Sequence, residues 1–169
     1  MTMANRSTGW GDAAPNAAAT VSPAPSVAIT YGTYDLFHVG HVRLFMRIKA
    51  QFDRLIVAVS TDEFNAIKGK KAVMPYADRL DLVMSCRHVD MVIAENSWDQ
   101  KPADIRRFGC TAFVMGDDWQ GRFDDLRALC QVIYLPRTEG VSSTELKADV
   151  VAGDRAASYS TCGSAKPFQ

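Results

Sequence analysis

Residues 27–41 of the chain have the sequence VAITYGTYDLFHVGH. The opening run Val27–Tyr31 is β-branched or bulky and apolar without strict alternation, which predicts a strand covered on both faces. The stretch after it is rich in glycine and polar side chains, as a turn would be. Four bulky residues then recur at helical spacing, namely His41, Phe45, Ile48 and Phe52. This order predicts a strand that passes through a functional turn into a helix.

The same pattern continues along the chain. Four more short apolar runs predict strands, at Leu55–Val59, Met91–Ala94, Ala112–Met115 and Val132–Leu135. Helices are predicted between and after them, from Leu80, Val83 and Met84 following Pro75, and over Ser142–Val151, where a serine can cap the amino end. The predicted fold is therefore α/β, a single doubly wound, mainly parallel five-stranded sheet with helices on both faces. Such sheets hold ligands at the carboxyl ends of their strands.

Length and composition limit the organisation of the chain. Its 169 residues, 47% of them apolar, suffice for one sizeable core but not for two full domains. Residues 1–26 and 153–169 are small and polar, so both are predicted to be flexible tails around a folded domain at residues 27–152.

Charge and cysteine content exclude several classes of function. The 19 lysines and arginines balance 19 aspartates and glutamates, so no overall field favours nucleic acid or an anionic membrane. No stretch approaches the ~18 apolar residues that a membrane span requires. The four cysteines form no C-x-x-C pair, which argues against a zinc or redox motif. Reduced thiols in a cytoplasmic protein are the simplest interpretation.

The turn after the first strand carries the first candidate site. His38 and His41 share one side of a helix that begins near Val39, where both imidazoles could meet an anion beside free backbone N–H groups. Gly32 and Gly40 would let a phosphate approach the backbone closely. Surface or capping roles for the histidines remain open alternatives. Zinc binding is disfavoured because the chain offers no evident third ligand.

Two basic clusters complete the candidate set. Arg137-Thr-Glu-Gly-Val-Ser-Ser-Thr144 follows the last strand and opens the last helix, so hydroxyls and free N–H groups gather at a positive helix end beside a permanent charge. This arrangement suits a phosphate, although serine and threonine also occur there simply as caps. Lys68-Gly-Lys-Lys71 lies in a loop that could close over a polyphosphate, or be no more than a solvated face.

These motifs together resemble a known family. His38-Val-Gly-His41 is similar to the H-x-G-H signature of nucleotidyltransferases, and residues 137–144 resemble the R-T-E-G-I-S-T-T signature of cytidylyltransferases. Three further segments resemble the members that act on glycerol 3-phosphate: Ser60–Asn65, Arg87–Asp90 and Met115–Trp119. The likeness covers Val27–Val151. Tyr34, Val39 and Ser143 depart from the usual phenylalanine, tryptophan and threonine, which puts fine selectivity in doubt rather than the reaction.

The resemblance assigns roles to individual residues. It implies catalytic roles in phosphate binding for His38, His41, Lys70 and Arg137. It implies nucleotide contacts for Thr33, Tyr34, Asp35, Val39, Gly40, Arg87, Asp118, Thr138, Glu139, Gly140, Val141, Ser142, Ser143 and Thr144. It implies an acceptor site at Lys68, Trp98 and Lys101. Asp35 is also the candidate magnesium contact.

The resemblance further implies a reaction and its partners. CMP would pass from CTP to glycerol 3-phosphate by direct in-line attack, with Mg²⁺ accompanying CTP, in a cytoplasmic homodimer that makes CDP-glycerol for teichoic acid synthesis. Phosphoethanolamine or phosphocholine as the acceptor is the nearest alternative. An adenylyltransferase of the same fold and a catalytically silent nucleotide-binding module are the others.

Overall fold

The computed structural model describes residues 24–152, so the predicted tails lie outside it except for residues 24–26. The strands are β1 (Val27–Gly32), β2 (Arg54–Ser60), β3 (Met91–Glu95), β4 (Ala112–Gly116) and β5 (Gln131–Leu135). The α-helices are α1 (Val39–Lys49), α2 (Asp62–Ile67), α3 (Tyr76–Met84), α4 (Lys101–Phe108) and α5 (Ser143–Ala152). Short 3-10 segments occupy Asp117–Trp119 and Asp124–Ala128.

The strands form one sheet in the order β3-β2-β1-β4-β5, and every pairing is parallel. The predicted α/β fold with a doubly wound five-stranded sheet is thereby confirmed. The chain winds outward from β1 to β3 and then returns to β4 on the other side of β1. Open parallel sheets bind ligands at such a reversal, beyond the carboxyl ends of the strands.

Alternate residues of β1 face two separate cores. Ile29 and Tyr31 pack in the core that includes Ile105 of α4 and the 3-10 segment around Leu126. Ala28 packs in the opposite core, with Phe45 of α1 and Val83 of α3. Because both faces are covered, the strand interiors are mostly apolar on both sides, which explains why their sequences lack strict alternation.

The helices differ from the predictions at several points. Helix α1 ends at Lys49, and Phe52 follows it, with its N–H bonded to the carbonyl of Ile48. Two helices, α2 and α4, were not predicted. Helix α4 buries Lys101 and Asp104 beside Ile105, so charged residues at inward positions hide the apolar periodicity that would have indicated it. Within residues 24–152, no helix is long and apolar enough to span a bilayer.

Candidate active site

A cavity of about 490 Å³ opens at the carboxyl ends of the strands. It brings together the turn after β1, the loop after α2, the start of α4 and the segment that joins β5 to α5. The predicted residues that line it are Thr33, Tyr34, Asp35, His38, Gly40, His41, Lys68, Lys70, Trp98, Lys101, Asp118, Arg137, Thr138, Val141, Ser142, Ser143 and Thr144. The volume lies within the usual range for small-molecule sites.

The two predicted histidines form a stacked pair at the start of α1. His38 is the N-cap, and its Nδ1 accepts the N–H of Gly40 at 3.1 Å. His41 completes a capping box because its Nδ1 accepts the N–H of His38 at 3.3 Å. Their ring centroids lie 3.9 Å apart. Since each Nδ1 accepts a hydrogen bond, the proton of each neutral imidazole resides on Nε2, which is thereby fixed as a donor.

A hydroxyl connects this pair to the other end of the chain. Ser143 donates to the backbone carbonyl of Asp35 at 2.8 Å, so its oxygen accepts from His38 Nε2, 3.3 Å away. Ser143 is the first residue of α5, and Ser142 caps that helix by accepting the N–H of Glu145 at 3.1 Å. The two predicted phosphate-binding segments therefore meet at one point in the cavity.

Both imidazoles are held in the neutral form. Burial, then the charges of His38 and Arg137, lower the pKa of His41 to about 3. Burial and the charge of Arg137 lower the pKa of His38 as well. The pair consequently offers N–H donors without net charge at neutral pH, and positive charge at this site comes from other side chains.

Asp35 is an anchor for the turn and not an open carboxylate. Burial raises its pKa, but donors from Lys147, Met74 and Val73 outweigh burial and hold the pKa below its usual value. One oxygen accepts the N–H groups of Leu36 and Met74, and the other accepts Val73 N–H and pairs with Lys147 at 2.7 Å. Both oxygens are thus engaged by the protein.

The turn that Asp35 anchors is strained. Tyr34 and Leu36, on either side of Asp35, have φ angles of 53° and 48°, in the left-handed region. Each such residue costs on the order of 1–3 kcal/mol and persists only where its surroundings impose the conformation. The donors gathered around Asp35 impose it here.

The expectation that Asp35 contacts magnesium does not fit this arrangement. Its lone pairs already accept protein donors, and a metal would have to displace Lys147. Among the residues that the structure describes, no group of three or more His, Cys, Asp or Glu side chains is placed to hold a metal ion.

The two glycines of the turn make room for protein side chains. A Cβ on Gly32 would lie 2.8 Å from the ring of Tyr34, and one on Gly40 would lie 2.8 Å from the ring of His38. These glycines therefore let the neighbouring rings pack against the backbone. Both also line the cavity, so the approach of a phosphate to them stays a prediction.

The four predicted cationic residues of the cavity fall into two kinds. Lys70 and Arg137 form no ion pair within residues 24–152. Lys68 and Lys101 share a carboxylate, since Glu95 accepts from Lys101 at 2.8 Å and from Lys68 at 3.4 Å. Burial lowers the pKa of Lys68 even though the charge of Glu95 opposes that shift. Glu95 was not predicted, because a single glutamate at a strand end carries no motif.

Comparison with known proteins identifies the family. The family model described as cytidylyltransferase-like matches residues 29–149. A glycerol-3-phosphate cytidylyltransferase of Staphylococcus aureus is 52% identical over 126 residues, which cover 75% of this chain and 96% of that protein. The chain belongs to the cytidylyltransferase-like family.

Other relatives agree with this placement. A glycerol-3-phosphate cytidylyltransferase of Bacillus subtilis is 52% identical over 122 residues, covering 72% of this chain and 95% of the relative. Choline-phosphate cytidylyltransferase A of Rattus norvegicus is 33% identical, with 71% of this chain and 35% of the relative covered. The crystal structure of a lipopolysaccharide core biosynthesis protein of Thermoplasma volcanium shares the fold, with a TM-score of 0.58 and 19% identity over 68% of this chain and 99% of that one.

The cytidylyltransferase-like chain also contains a residue that supports the site from outside the cavity and that the sequence did not indicate. Arg79 is fully buried, and its guanidinium donates to the carbonyls of Thr33 at 2.6 Å, Ser60 at 2.8 Å and Met74 at 3.1 Å. It also pairs with Asp62 at 2.6 Å. Arg79 therefore joins the ends of β1 and β2 to the loop that precedes α3, from behind the cavity.

Four predicted nucleotide contacts do not line the cavity: Val39, Arg87, Glu139 and Gly140. The side chain of Val39 is on the exposed side of α1, 48% accessible. Arg87 is exposed and precedes β3, at the amino end of a strand whose carboxyl end faces the cavity. Within one chain, Arg87 is consequently separated from the other predicted phosphate ligands.

Proposed function

We propose that this protein transfers CMP from CTP to glycerol 3-phosphate, giving CDP-glycerol and pyrophosphate. The observation that carries the proposal is the meeting of the histidine pair with the amino end of α5 beside Lys70 and Arg137 in one cavity. The relatives named glycerol-3-phosphate cytidylyltransferases, about half identical over nearly their whole length, support the choice of nucleotide and acceptor.

The residues present suit direct transfer. An oxygen of the acceptor phosphate forms a bond to the α-phosphorus of CTP while the bond to the β-phosphate oxygen breaks and pyrophosphate leaves. The attacking oxygen is already anionic at neutral pH, so no general base is needed. Catalysis then depends on alignment and on donors aimed at the developing charge.

The histidines act as such donors. Their Nε2–H groups are fixed before the substrate arrives, because backbone N–H groups hold both Nδ1 atoms. We assign both to the α-phosphate: the Nε2–H of His41 directly, and that of His38 by exchanging the Ser143 hydroxyl for a phosphate oxygen. Lys70 and Arg137, without carboxylate partners in the described chain, are assigned to the leaving pyrophosphate, whose charge they offset.

Magnesium is proposed to arrive with CTP. The ion commonly keeps several waters and is bound through substrate phosphates, where it neutralises charge on the triphosphate. Asp118, which is exposed and lines the cavity, is the acidic side chain left to meet the waters of such an ion, because Asp35 is engaged.

A matrix of substrates tests the proposal. Pyrophosphate release is measured with each of CTP, ATP, GTP and UTP against glycerol 3-phosphate, phosphoethanolamine and phosphocholine. We expect release chiefly for CTP with glycerol 3-phosphate, and a CDP-glycerol product by mass spectrometry. Preference for ATP would indicate an adenylyltransferase, and CTP binding without release would indicate a silent nucleotide-binding module.

Cytoplasmic location and a homodimer are also part of the proposal. The described cysteines, Cys86, Cys110 and Cys130, are free thiols, as is usual in a reducing compartment. The edge strand β3 begins at Met91, 45% exposed, close in sequence to Met84, 59% exposed, and to Arg87. The two exposed methionines, at the end of α3 and on the edge strand, favour a second copy as the partner. Light scattering on the full chain measures the mass.

A further inference from the structure

We propose that Lys101 is a specificity-determining residue whose ammonium fills an aromatic cage and thereby excludes acceptors that carry an ammonium group. The inference deepens the proposed function and rests on it, since it concerns the acceptor of the same site. It adds a role to the acceptor contact expected for Lys101, that of a built-in occupant of the aromatic pocket.

The cage is formed by three rings from separate segments. Lys101 Nζ lies over Tyr31 at 4.6 Å, Trp98 at 4.8 Å and Phe123 at 5.4 Å from the ring centroids. The Glu95 carboxylate completes it, at 2.8 Å from the same nitrogen. Only 3% of each of the two charged side chains is exposed.

Aromatic rings around a carboxylate recognise alkylammonium ions. The faces of the rings attract a cation electrostatically, and quaternary ammonium ligands are bound by cages of this composition. In this protein the cation inside the cage is the ammonium group of Lys101. Tyr31, Glu95, Trp98 and Lys101 all line the main cavity, so the filled cage faces the space available to a substrate.

The charge balance around Glu95 favours an acceptor whose phosphate is anionic and whose remaining part carries no charge. Lys68 Nζ bonds to the Ser60 hydroxyl at 2.7 Å and approaches Glu95 at 3.4 Å, so two ammonium groups share one carboxylate. The excess positive charge attracts a phosphate. A substrate ammonium would meet two like charges, and Lys101 already lies over the rings that would otherwise attract it.

Two substitutions at one position test this assignment. Lys101→Ala empties the cage, whereas Lys101→Met removes the same charge but refills the cage with a flexible apolar chain. Tetramethylammonium serves as the probe, and its binding is followed by intrinsic tryptophan fluorescence and by the rise of Tm with concentration, which needs no turnover. We expect binding to Lys101→Ala at least tenfold tighter than to the wild type, with no gain for Lys101→Met.

Turnover provides the second readout. The ratio of kcat/KM for phosphocholine to that for glycerol 3-phosphate is expected to rise at least tenfold in Lys101→Ala and not in Lys101→Met. A folded Lys101→Ala that binds tetramethylammonium no better than the wild type would overturn the proposal. So would equal gains in both variants, because loss of charge alone would then explain them.

If Lys101→Ala does not fold, two measurements on the wild-type protein still test the proposal. Micromolar binding of tetramethylammonium to the wild type, or phosphocholine turnover comparable to that of glycerol 3-phosphate, contradicts a filled cage. Absence of both supports it. Failure of the proposed function is separate: it appears as a wild-type protein that releases no pyrophosphate with glycerol 3-phosphate, whatever the Lys101 variants bind.

Discussion

The cavity has two sides that treat charge in opposite ways. The histidine side, formed by His38, His41, Lys70 and Arg137, combines neutral donors with cations that lack carboxylate partners in the described chain. The lysine side is formed by Lys68, Glu95, Trp98 and Lys101. Its three charged side chains are at most 7% exposed, and its two cations share one carboxylate. A triphosphate carries several negative charges, so its site needs cations that are not already paired with carboxylates. The site of a small acceptor must instead discriminate between similar molecules, and a neutralised, closely packed pocket does this better than a strongly charged one.

Removing one donor from the histidine side should cause the largest loss of activity. His38→Ala or His41→Ala should lower kcat by roughly 10²- to 10³-fold, since one donor to a developing oxyanion is worth ~2.7–4 kcal/mol. The KM for CTP should change far less, because the donors act mainly as charge builds. Steady-state kinetics measure both parameters, and thermal unfolding checks that each variant folds. A kcat near that of the wild type in both variants would sink the assignment.

Both sides should fail together when their common support is removed. Arg79→Met leaves the carbonyls of Thr33, Ser60 and Met74 without their buried donor, and each unsatisfied group costs roughly 1–3 kcal/mol. We expect the free energy of unfolding to fall by about 3 kcal/mol, measured in urea. In the surviving folded fraction, the KM values for both substrates should rise. An effect on one substrate alone would contradict a role that joins the two sides.

The difference between the sides is sharpened by two lysines that are close in sequence. Lys70→Met should raise the KM for CTP and leave that for glycerol 3-phosphate nearly unchanged, because Lys70 has no carboxylate partner in residues 24–152. Lys68→Met should do the reverse. A charge-assisted hydrogen bond is worth about 1.5–3 kcal/mol, so changes of roughly ten- to a hundredfold are expected. Identical KM profiles for the two variants would remove the distinction.

The parts of the fold and site that were predicted from sequence are those with a local signal. Each strand is a short apolar run, and the segments at 38–41 and 137–144 combine residue types that suit phosphate at strand ends. The parallel sheet then requires such ends to meet at one edge, as they do.

The remainder depends on contacts between distant segments. Arg79 reaches a carbonyl 46 residues away, and Asp35 is closed off by N–H groups 38 and 39 residues along the chain. Neither partner is visible in a sequence window. The role of Glu95 is likewise evident only from the two lysines that contact it. The role of Lys101 is evident only from the rings of Tyr31, Trp98 and Phe123 that surround it.

The smallest expected effect concerns pH, and it tests whether the histidine side is neutral. The pKa of His41 is about 3 in the folded protein against an ordinary value near 6.5, so between these values the unfolded chain binds a proton that the folded chain does not. This contribution of His41 to stability should therefore be complete above about pH 6.5 and fall as the pH drops, by up to ~1.4 kcal/mol per pH unit for this one proton.

Urea unfolding at pH 5 to 7, above the range where carboxylates titrate, measures how the free energy of unfolding changes with pH. His41→Asn should flatten this dependence, leaving the smaller contribution of His38, whose pKa is also lowered. A slope that is unchanged in the variant would mean that folding does not lower the pKa of His41, and this imidazole would then become charged near pH 6.5 like an ordinary histidine.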